Sequence, residues 1–545
     1  MTNPQLTLTR YDIWDLNHGN IPQFPVANPP GWDDVSLYYA KALIAMGWQA
    51  SPAGNTDVTS MWPYSDAPNT YFFQAAMHWW PQYTGTPPAP YDQRWSHCTH
   101  GPASAEQYFL AWHRAFIYFF EVIVRSYVAE LGGPATWALP YWNYSYYDDS
   151  DPSAPGAPWV RSNLPWVFSQ AQLPDGSVNP LYIADTAKRG LQPTWPGQTD
   201  PMFLETTTPY YNQAYGYPDF ADFNQTLDGQ PHGAVHDDTG TGDLQVTSGG
   251  WMTSTVTASF DPVFWLHHSE IDRFWVGWNA AGNASPSDPT WLNAQDDPLL
   301  TTRWNFWSDG NLANTIVVHP GQMVDPANLT APFPYSYEYQ NLPTIPAPAT
   351  SGAALAAQAV PQVVARTATA AGALPASAAA GGGAVELGRE PVTAAVPVHD
   401  QVQAAAARLA DLTSGAEPPH VILRLEGITA DGPPGNYEIY LNYPQADRQT
   451  AGSVPHYVGL LAGFGADHHH DHGGQDDDQL PAPEVDIGQQ IGRHPDLAEA
   501  LGGVVDAGEH HVADEGKDDR VGVEGAEPAK SEPLQVEVHP PGGEL

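Results

Sequence analysis

The composition of the chain changes abruptly near residue 343, and this change limits the fold more than any other feature. Before it, the sequence is rich in Trp, Tyr, Phe and Pro, which is typical of a large globular core with long ordered loops. Residues 343–418 are instead rich in Ala, Pro, Gly and Val and contain almost no aromatic residues. Such a segment has too little bulky apolar surface to offset the entropy of ordering it. We therefore predict a core over 1–342 and a linker over 343–418.

Beyond the linker, short stretches alternate apolar and polar residues. They are HVILRLEGI from His420, YEIYLNY from Tyr437, YVGLLAGFG from Tyr457 and LQVEVHP from Leu534. Alternation with a period of two, separated by turn residues such as DGPPG, predicts β-strands. We predict a small β-sandwich over 419–541, interrupted by the His/Asp-rich insertion DHHHDH at 467–472, whose composition could bind a metal ion.

Charge and cysteine content narrow the class of protein. The 61 Asp and Glu residues outnumber the 19 Lys and Arg residues, for a formal net charge of −42, which argues against nucleic acid and anionic membranes as partners. The single Cys excludes a disulfide framework and a Cys-rich zinc site. We see neither a secretory signal nor an apolar run long enough to span a membrane. We therefore expect a cytoplasmic location, and a homo-oligomer remains open.

Four segments of the core are predicted to be helical. Residues 106–131 are long and mostly apolar, which indicates a buried helix, and residues 72–80 predict a second helix. Residues 231–237 start at a Pro, a common first helical position. Residues 261–278 begin with Asp-Pro, which resembles a helix cap. The core is therefore predicted to be mainly α-helical, with long loops.

Histidines recur in or beside these segments. They are His78, His100, His113, His232, His236, His267 and His268. His232 and His236 are four residues apart, so on a helix both imidazoles project from one face. A site with six neutral histidine ligands and no carboxylate ligand would favour copper among the metals that bind histidine. A single buried His is more often a hydrogen-bonded core residue than a ligand, so spacing alone leaves both interpretations open.

The residues around these histidines match the motifs of one family. FLAWHRAF (109–116) resembles the FLPWHR block of tyrosinases, and DPVFWLHHSEIDRFW (261–275) resembles their DPxFxLHHxxxDRxW block. PHGAVHD (231–237) resembles the paired-His helix between these blocks, and LPYWNY (139–144) resembles another family segment. Over about 60–340 the chain thus resembles the type 3 copper proteins, which include tyrosinases, catechol oxidases and hemocyanins.

This resemblance implies an antiparallel four-helix bundle around two copper ions, with O2 as co-substrate. It assigns the first copper, CuA, to His78, His100 and His113, and the second, CuB, to His232, His236 and His268. His267 would line the pocket rather than bind metal, and Phe264 would lie near the coppers.

Two further residues lie beside these ligands. Cys98 precedes His100 by two positions and resembles the Cys that forms a thioether to a CuA ligand in some relatives, which implies a Cys98–His100 cross-link. A lone Cys is otherwise usually a small buried hydrophobe. Asp272, one helical turn beyond His268, could support a ligand through a hydrogen bond or belong to a helix salt bridge with the nearby Arg273.

The resemblance also bears on the reaction. In the family, monophenol hydroxylation is attributed to a water held by a Glu before the first CuB ligand and an Asn after it. Asp228 could replace that Glu or be only a turn residue, whereas Gly233 stands at the Asn position and has no side chain to donate or accept. Asp237 could act as a base close to CuB. We expect oxidation of o-diphenols to o-quinones with weaker monophenol hydroxylation, and an o-aminophenol oxidase or a hemocyanin-like oxygen carrier is the alternative.

The end of the core suggests how such an enzyme is regulated. PYSYEY (334–339) resembles the tyrosine motif that closes the core of plant-like polyphenol oxidases, and Arg10 matches an Arg that anchors there. Those relatives carry a linker and a β domain that covers the active site. The resemblance implies a latent enzyme for small phenols, in which residues 419–541 shield the pocket until a protease cuts the linker.

Overall fold

The computed structural model describes most of the core and six strands beyond it. The described residues are 6–48, 67–78, 108–144, 164–185, 188–191, 214–241, 250–293, 304–330 and 332–343, and strands between 392 and 539. The chain divides into two units, of which the first contains residues 1–345 and the second contains the six strands. Among the described residues, no helix is both long and apolar enough to cross a bilayer.

The first unit is mainly helical. Its α-helices are α1 (Ile13–Asn17), α2 (Asp34–Ala45), α3 (Tyr71–Ala76), α4 (Phe109–Glu130), α5 (Phe220–Leu227), α6 (Ala234–Thr241), α7 (Val263–Ala280) and α8 (Pro289–Leu292). Its strands are β1 (Leu6–Arg10), β2 (Asn305–Phe306), β3 (Ile316–Val317) and β4 (Tyr335–Tyr339). The predicted helices over 72–80, 106–131 and 261–278 correspond to α3, α4 and α7.

Helix α4 forms the centre of the core. Every side chain from Phe109 to Glu121 is buried, because this stretch is apolar on nearly all faces and packs against both α2 and α7. Its first turn is capped from another helix, since the backbone N–H of Leu110 donates to Oδ1 of buried Asn224 on α5 at 3.1 Å. Helix α5 is thereby attached to the end of α4 that carries His113.

Residues 231–237 are helical as predicted, but the predicted helix start at Pro231 is wrong. Helix α5 continues through a π-helical turn, Asp228–Gly233, directly into α6, and Pro231 lies inside this turn. Proline has no N–H to donate, and the wider π turn accommodates that loss within a continuing helix.

Helix α7 begins where the Asp-Pro pair predicts. Oδ1 of Asp261 accepts from the backbone N–H of Val263 at 2.9 Å. The same carboxylate forms a fully buried ion pair with Arg189, whose Nε lies 2.8 Å from Oδ2. The start of the helix is therefore fixed to a separate segment of the core.

The two ends of the core meet in a parallel strand pair. Strand β1 pairs with β4 in the register Leu6 to Tyr335 through Arg10 to Tyr339. The buried guanidinium of Arg10 lies over the Tyr337 ring at 3.7 Å and donates from Nε to Glu121 on α4 at 2.9 Å. The predicted anchoring of Arg10 at the tyrosine motif is thus observed.

The second unit contributes two sheets. Strands β5 (Val392–Val396), β10 (Leu534–His539), β7 (Tyr437–Leu441) and β8 (Tyr457–Leu461) form an antiparallel sheet in that order, and β6 (Ile422–Arg424) pairs with β9 (Glu484–Asp486). The four stretches predicted as strands are strands. Strand β5 lies within the segment that was predicted to be a linker. Composition did not reveal it, because the five residues VTAAV change the average composition of the segment very little. The sandwich arrangement and its boundaries stay predictions.

Candidate metal centre

Six of the seven predicted site histidines lie among the described residues, and their ring nitrogens converge in two groups. The first group is His78, His113 and His268; the second is His232, His236, His267 and His268. In each group the ligand atoms lie within 4.8 Å of one another, and all six rings are buried. His268 belongs to both groups. His100 and Cys98 lie outside the described residues, so their predicted roles and cross-link stay predictions.

In the first group, the main chain determines which ring nitrogen carries the proton. His78 follows α3, and its Nδ1 lies 2.6 Å from the carbonyl oxygen of Thr255. His113 is on α4, and its Nδ1 lies 2.8 Å from the carbonyl oxygen of Phe109, one turn earlier. A carbonyl oxygen only accepts, so each Nδ1 is protonated and each Nε2 presents a lone pair. The two Nε2 atoms lie 3.4 Å apart.

The second group is arranged in the same way. Nδ1 of His236 on α6 lies 2.8 Å from the carbonyl oxygen of Met252. Nδ1 of His232, in the π turn, lies 2.8 Å from the carbonyl oxygen of Asp228 and 3.2 Å from its Oδ1. Nε2 of His236 lies 3.4 Å from Nε2 of His268 on α7. The sequence could not reveal these carbonyl partners, because every residue has a carbonyl group.

The spacing of these nitrogens fits metal ions. Two ligands at a metal–nitrogen distance of about 2.0–2.1 Å in tetrahedral geometry lie about 3.3–3.4 Å apart, as the paired Nε2 atoms do. A donor set made only of neutral imidazoles suits copper. The histidines therefore fit the two coppers that the motifs imply.

Burial keeps the site neutral. It lowers the pKa values of His236, His267 and His268 well below the usual range, and neighbouring imidazoles lower them further. For His268 the largest of these neighbouring effects comes from His113, whose ring stacks on it at 4.3 Å between centroids. Neutral imidazole is the form that binds metal.

The copper-free protein is expected to lose stability as the pH falls below about 6.5. In the unfolded chain the three histidines take up protons near that pH, whereas in the folded chain they stay neutral, so acid favours unfolding. Each contributes up to about 1.4 kcal/mol per pH unit below about 6.5, and nothing above it. Thermal unfolding from pH 8 to 5.5 at constant ionic strength measures the effect. A constant Tm over this range would contradict it.

Two aromatic contacts shape the space around the histidines. Phe264, on α7 one turn before His268, has its ring centroid 4.3 Å from that of His268 and 4.9 Å from that of His78. It therefore touches both groups, as expected for the aromatic near the coppers. His267 stacks on His232 at 5.4 Å, and its Nδ1 lies 2.9 Å from the hydroxyl of buried Tyr144. The LPYWNY segment thus supplies a contact to the site.

The three residues considered above for proton transfer from the phenol lie close to the second histidine group. Because the carboxylate of Asp228 contacts Nδ1 of His232, it lies on the ring edge away from Nε2. Gly233 is buried next to His232 at the end of the π turn. Asp237 is buried on α6, directly after His236. The roles predicted for these three residues stay predictions.

Asp272 forms ion pairs, but its partners lie outside its own helix, so the predicted salt bridge with Arg273 is not the one observed. Its Oδ2 accepts from Tyr337 at 2.7 Å, Tyr339 at 2.5 Å and Arg10 at 3.2 Å. Its Oδ1 accepts from Nε of Arg114. The carboxylate therefore connects α4 and α7 to the strand pair at the ends of the core.

Comparison with known families supports the interpretation of the histidine groups. The model of the common central domain of tyrosinase matches residues 68–281, which include both groups. Over these residues the chain is similar to the central domain of tyrosinases. That domain has a dicopper site, in agreement with the two histidine groups. A second model, for a domain of unknown function (DUF7868), matches residues 376–477.

Two curated relatives of the chain are a tyrosinase and a polyphenol oxidase. Tyrosinase HcTyr1 of Hahella sp. (strain CCB-MM4) is 31% identical over 272 residues, covering 48% of this chain and 54% of the relative. The chloroplastic polyphenol oxidase of Vitis vinifera is 28% identical over 248 residues, covering 43% of this chain and 37% of the relative. The chain therefore matches about half of the first relative's length and less of the second.

Two solved structures share the fold. A latent aurone synthase (polyphenol oxidase) matches 99% of this chain and 87% of its own, with a TM-score of 0.53 and 16% identity. A latent apple tyrosinase matches 99% of this chain and 95% of its own, with a TM-score of 0.51 and 17% identity. The chain thus shares its fold with these two structures.

Proposed function

We propose that this protein is a type 3 copper oxidase that converts o-diphenols to o-quinones with O2. The observation that carries the proposal is the pair of buried histidine groups joined by His268 inside the tyrosinase central domain. In this proposal CuA is bound by His78, His100 and His113, and CuB by His232, His236 and His268.

The residues of the chain prepare the site for this reaction. When bound, the copper pair supplies the electron transfer between phenol and O2, so that two o-diphenols and one O2 give two o-quinones and two waters. Carbonyl groups hold protons on Nδ1 of His78, His113 and His236, which directs the Nε2 lone pairs into the site. Phe264 places an apolar ring against one histidine of each group, His78 and His268. Asp237, buried after His236, is the proposed acceptor for the phenol proton.

The test of the proposed function is a substrate panel on copper-loaded protein. Oxygen uptake and quinone absorbance are measured with a catechol, with tyrosine and with an o-aminophenol. We expect the fastest turnover with the catechol and slower turnover with tyrosine. Preference for the o-aminophenol would indicate an o-aminophenol oxidase, and reversible oxygenation without any quinone would indicate an oxygen carrier.

Replacing Gly233 with Asn is expected to raise tyrosine hydroxylation relative to catechol oxidation. The new side chain could hold the water that deprotonates a monophenol, and one hydrogen bond of about 0.5–1.5 kcal/mol corresponds to a change of several-fold. Gly229→Asn is the matched control, because Gly229 lies in the same π turn, is exposed and has open space around an added Cβ. An equal ratio of the two activities in wild type and Gly233→Asn would contradict the role of this position.

We also propose that the enzyme is latent. The two solved structures of similar fold are described as latent, and this chain likewise has a second unit beyond residue 345. Residues 419–541 would shield the pocket until a protease cuts the 343–418 segment. Limited proteolysis to about residue 345 is expected to raise catechol turnover, whereas unchanged turnover would rule out the shielding role.

A further inference from the structure

One short segment hydrogen-bonds to a histidine of each group. This bridging segment, residues 250–260, contains two short 3₁₀ helices, Trp251–Thr253 and Ala258–Phe260. Between them it supplies the two carbonyls described above, Met252 to His236 at 2.8 Å and Thr255 to His78 at 2.6 Å. Only two residues lie between Met252 and Thr255, although the two histidines are far apart in sequence.

The first end of the bridging segment is packed against α6, the helix that carries His236. A Cβ at Gly250 would lie 2.5 Å from the carbonyl oxygen of Gly240, and a Cβ at Gly240 would clash with Thr253. The backbone N–H of Trp251 also donates to the carbonyl of Lys188 at 2.6 Å. Gly240 lies one turn after His236, so this end has little freedom to move relative to that histidine.

The other end is attached to α3, the helix that precedes His78. Oγ of buried Ser259 donates to the carbonyl of Ala75 at 2.7 Å. The hydroxyl of Tyr71 lies 3.2 Å from the carbonyl oxygens of both Ser259 and Phe260. Inside the segment, Oγ1 of Thr253 donates to the carbonyl of Gly250 at 2.8 Å.

We infer that the bridging segment is a positioning element shared by both copper subsites, which sets the orientation of His78 and His236 together. Partners of the ring N–H fix the tautomer and direction of metal-binding histidines. Because both partners here belong to one short segment attached at each end, a disturbance at either end reaches both histidines. The relevance of this inference to copper rests on the proposed two-copper site.

The test follows the Nδ1 protons of copper-free protein by NMR of ¹⁵N-labelled histidine, with assignments from His78→Gln and His236→Gln. Ser259→Ala removes the bond to α3, close to His78. Thr253→Val removes a bond at the opposite end, close to His236. For each variant we expect the Nδ1 protons of both histidines to exchange with water about five-fold faster, the size that loss of one hydrogen bond allows.

Ser336→Ala is the control, because Ser336 is also buried and its hydroxyl also donates to a backbone carbonyl, that of Leu329 at 3.3 Å. It should leave both Nδ1 protons unchanged. A response confined to the nearer histidine in both variants would overturn the inference, and so would a response as large in the control.

Native mass spectrometry then measures copper binding in the same variants. We expect both copper-binding steps to weaken by about ten-fold in Ser259→Ala and Thr253→Val. Weakening of a single step would overturn the shared role. If the wild-type chain bound fewer than two coppers while the NMR result held, the proposed function would fail and the inference about the segment would stand.

Discussion

Replacing His268 with Gln is expected to abolish phenol oxidation and to leave at most one tightly bound copper ion per chain. His268 is the histidine that belongs to both groups. Its Nε2 faces Nε2 of His236 at 3.4 Å, and its ring stacks on His113 with an angle of 6° between the planes. Loss of this imidazole removes a ligand and disturbs the adjoining group. A loss of several kcal/mol of metal-derived stabilisation corresponds to a decrease in turnover of at least about 1,000-fold.

His267→Gln is a closely matched control, because the two histidines are adjacent on α7, equally buried and changed to the same residue. We expect it to bind two coppers and to keep measurable catechol oxidation, since His267 is predicted to line the pocket. Copper content and oxygen uptake are measured for both variants. Loss of copper from His267→Gln together with its retention in His268→Gln would reverse the assignment of the ligand on this helix.

Features set by local sequence could be predicted. Helix α4 was recognisable because the stretch around His113 is apolar on nearly every face, and the start of α7 because Asp261 precedes Pro262. The histidines that converge in the two groups were accessible through the family motifs. Spacing alone left the interpretation as core histidines open, since any one of these residues could have been an ordinary buried imidazole.

Features set by contacts between distant residues could not be predicted. One ion pair of Asp272 depends on Arg10, which lies 262 residues earlier in the chain. Strand β5 depends on pairing with β10, so its own five residues carry little signal. Pro231 follows the local rule for a helix start, but the helix before it continues through a π turn. In each case a long-range contact or an uncommon geometry outweighed the local pattern.

Replacing Asp272 with Asn is expected to destabilise the core by about 3–5 kcal/mol, the cost of breaking a buried ion pair by removing one partner. Burial alone would raise the pKa of Asp272, but the guanidinium groups of Arg114 and Arg10 hold it below the usual range, so the carboxylate is charged. Asparagine would leave two buried cations without this counter-charge. Its amide would also direct N–H groups at donors that now converge on the carboxylate.

Tyr339→Phe separates the effect of charge from that of hydrogen bonding. It removes one hydroxyl, which lies 2.5 Å from Asp272, accepts from Arg10 at 2.9 Å and lies 2.9 Å from the carbonyl oxygen of Ser269. The ring and the charges stay, so we expect a loss of only about 1–3 kcal/mol. Denaturant unfolding of the copper-free variants gives both values. Because Asp272 joins the helices of His113 and His268 to β1 and β4, Asp272→Asn should also weaken copper binding more than Tyr339→Phe does. Equal destabilisation by the two variants would show that the charge of Asp272 adds nothing beyond the hydrogen bonding around it.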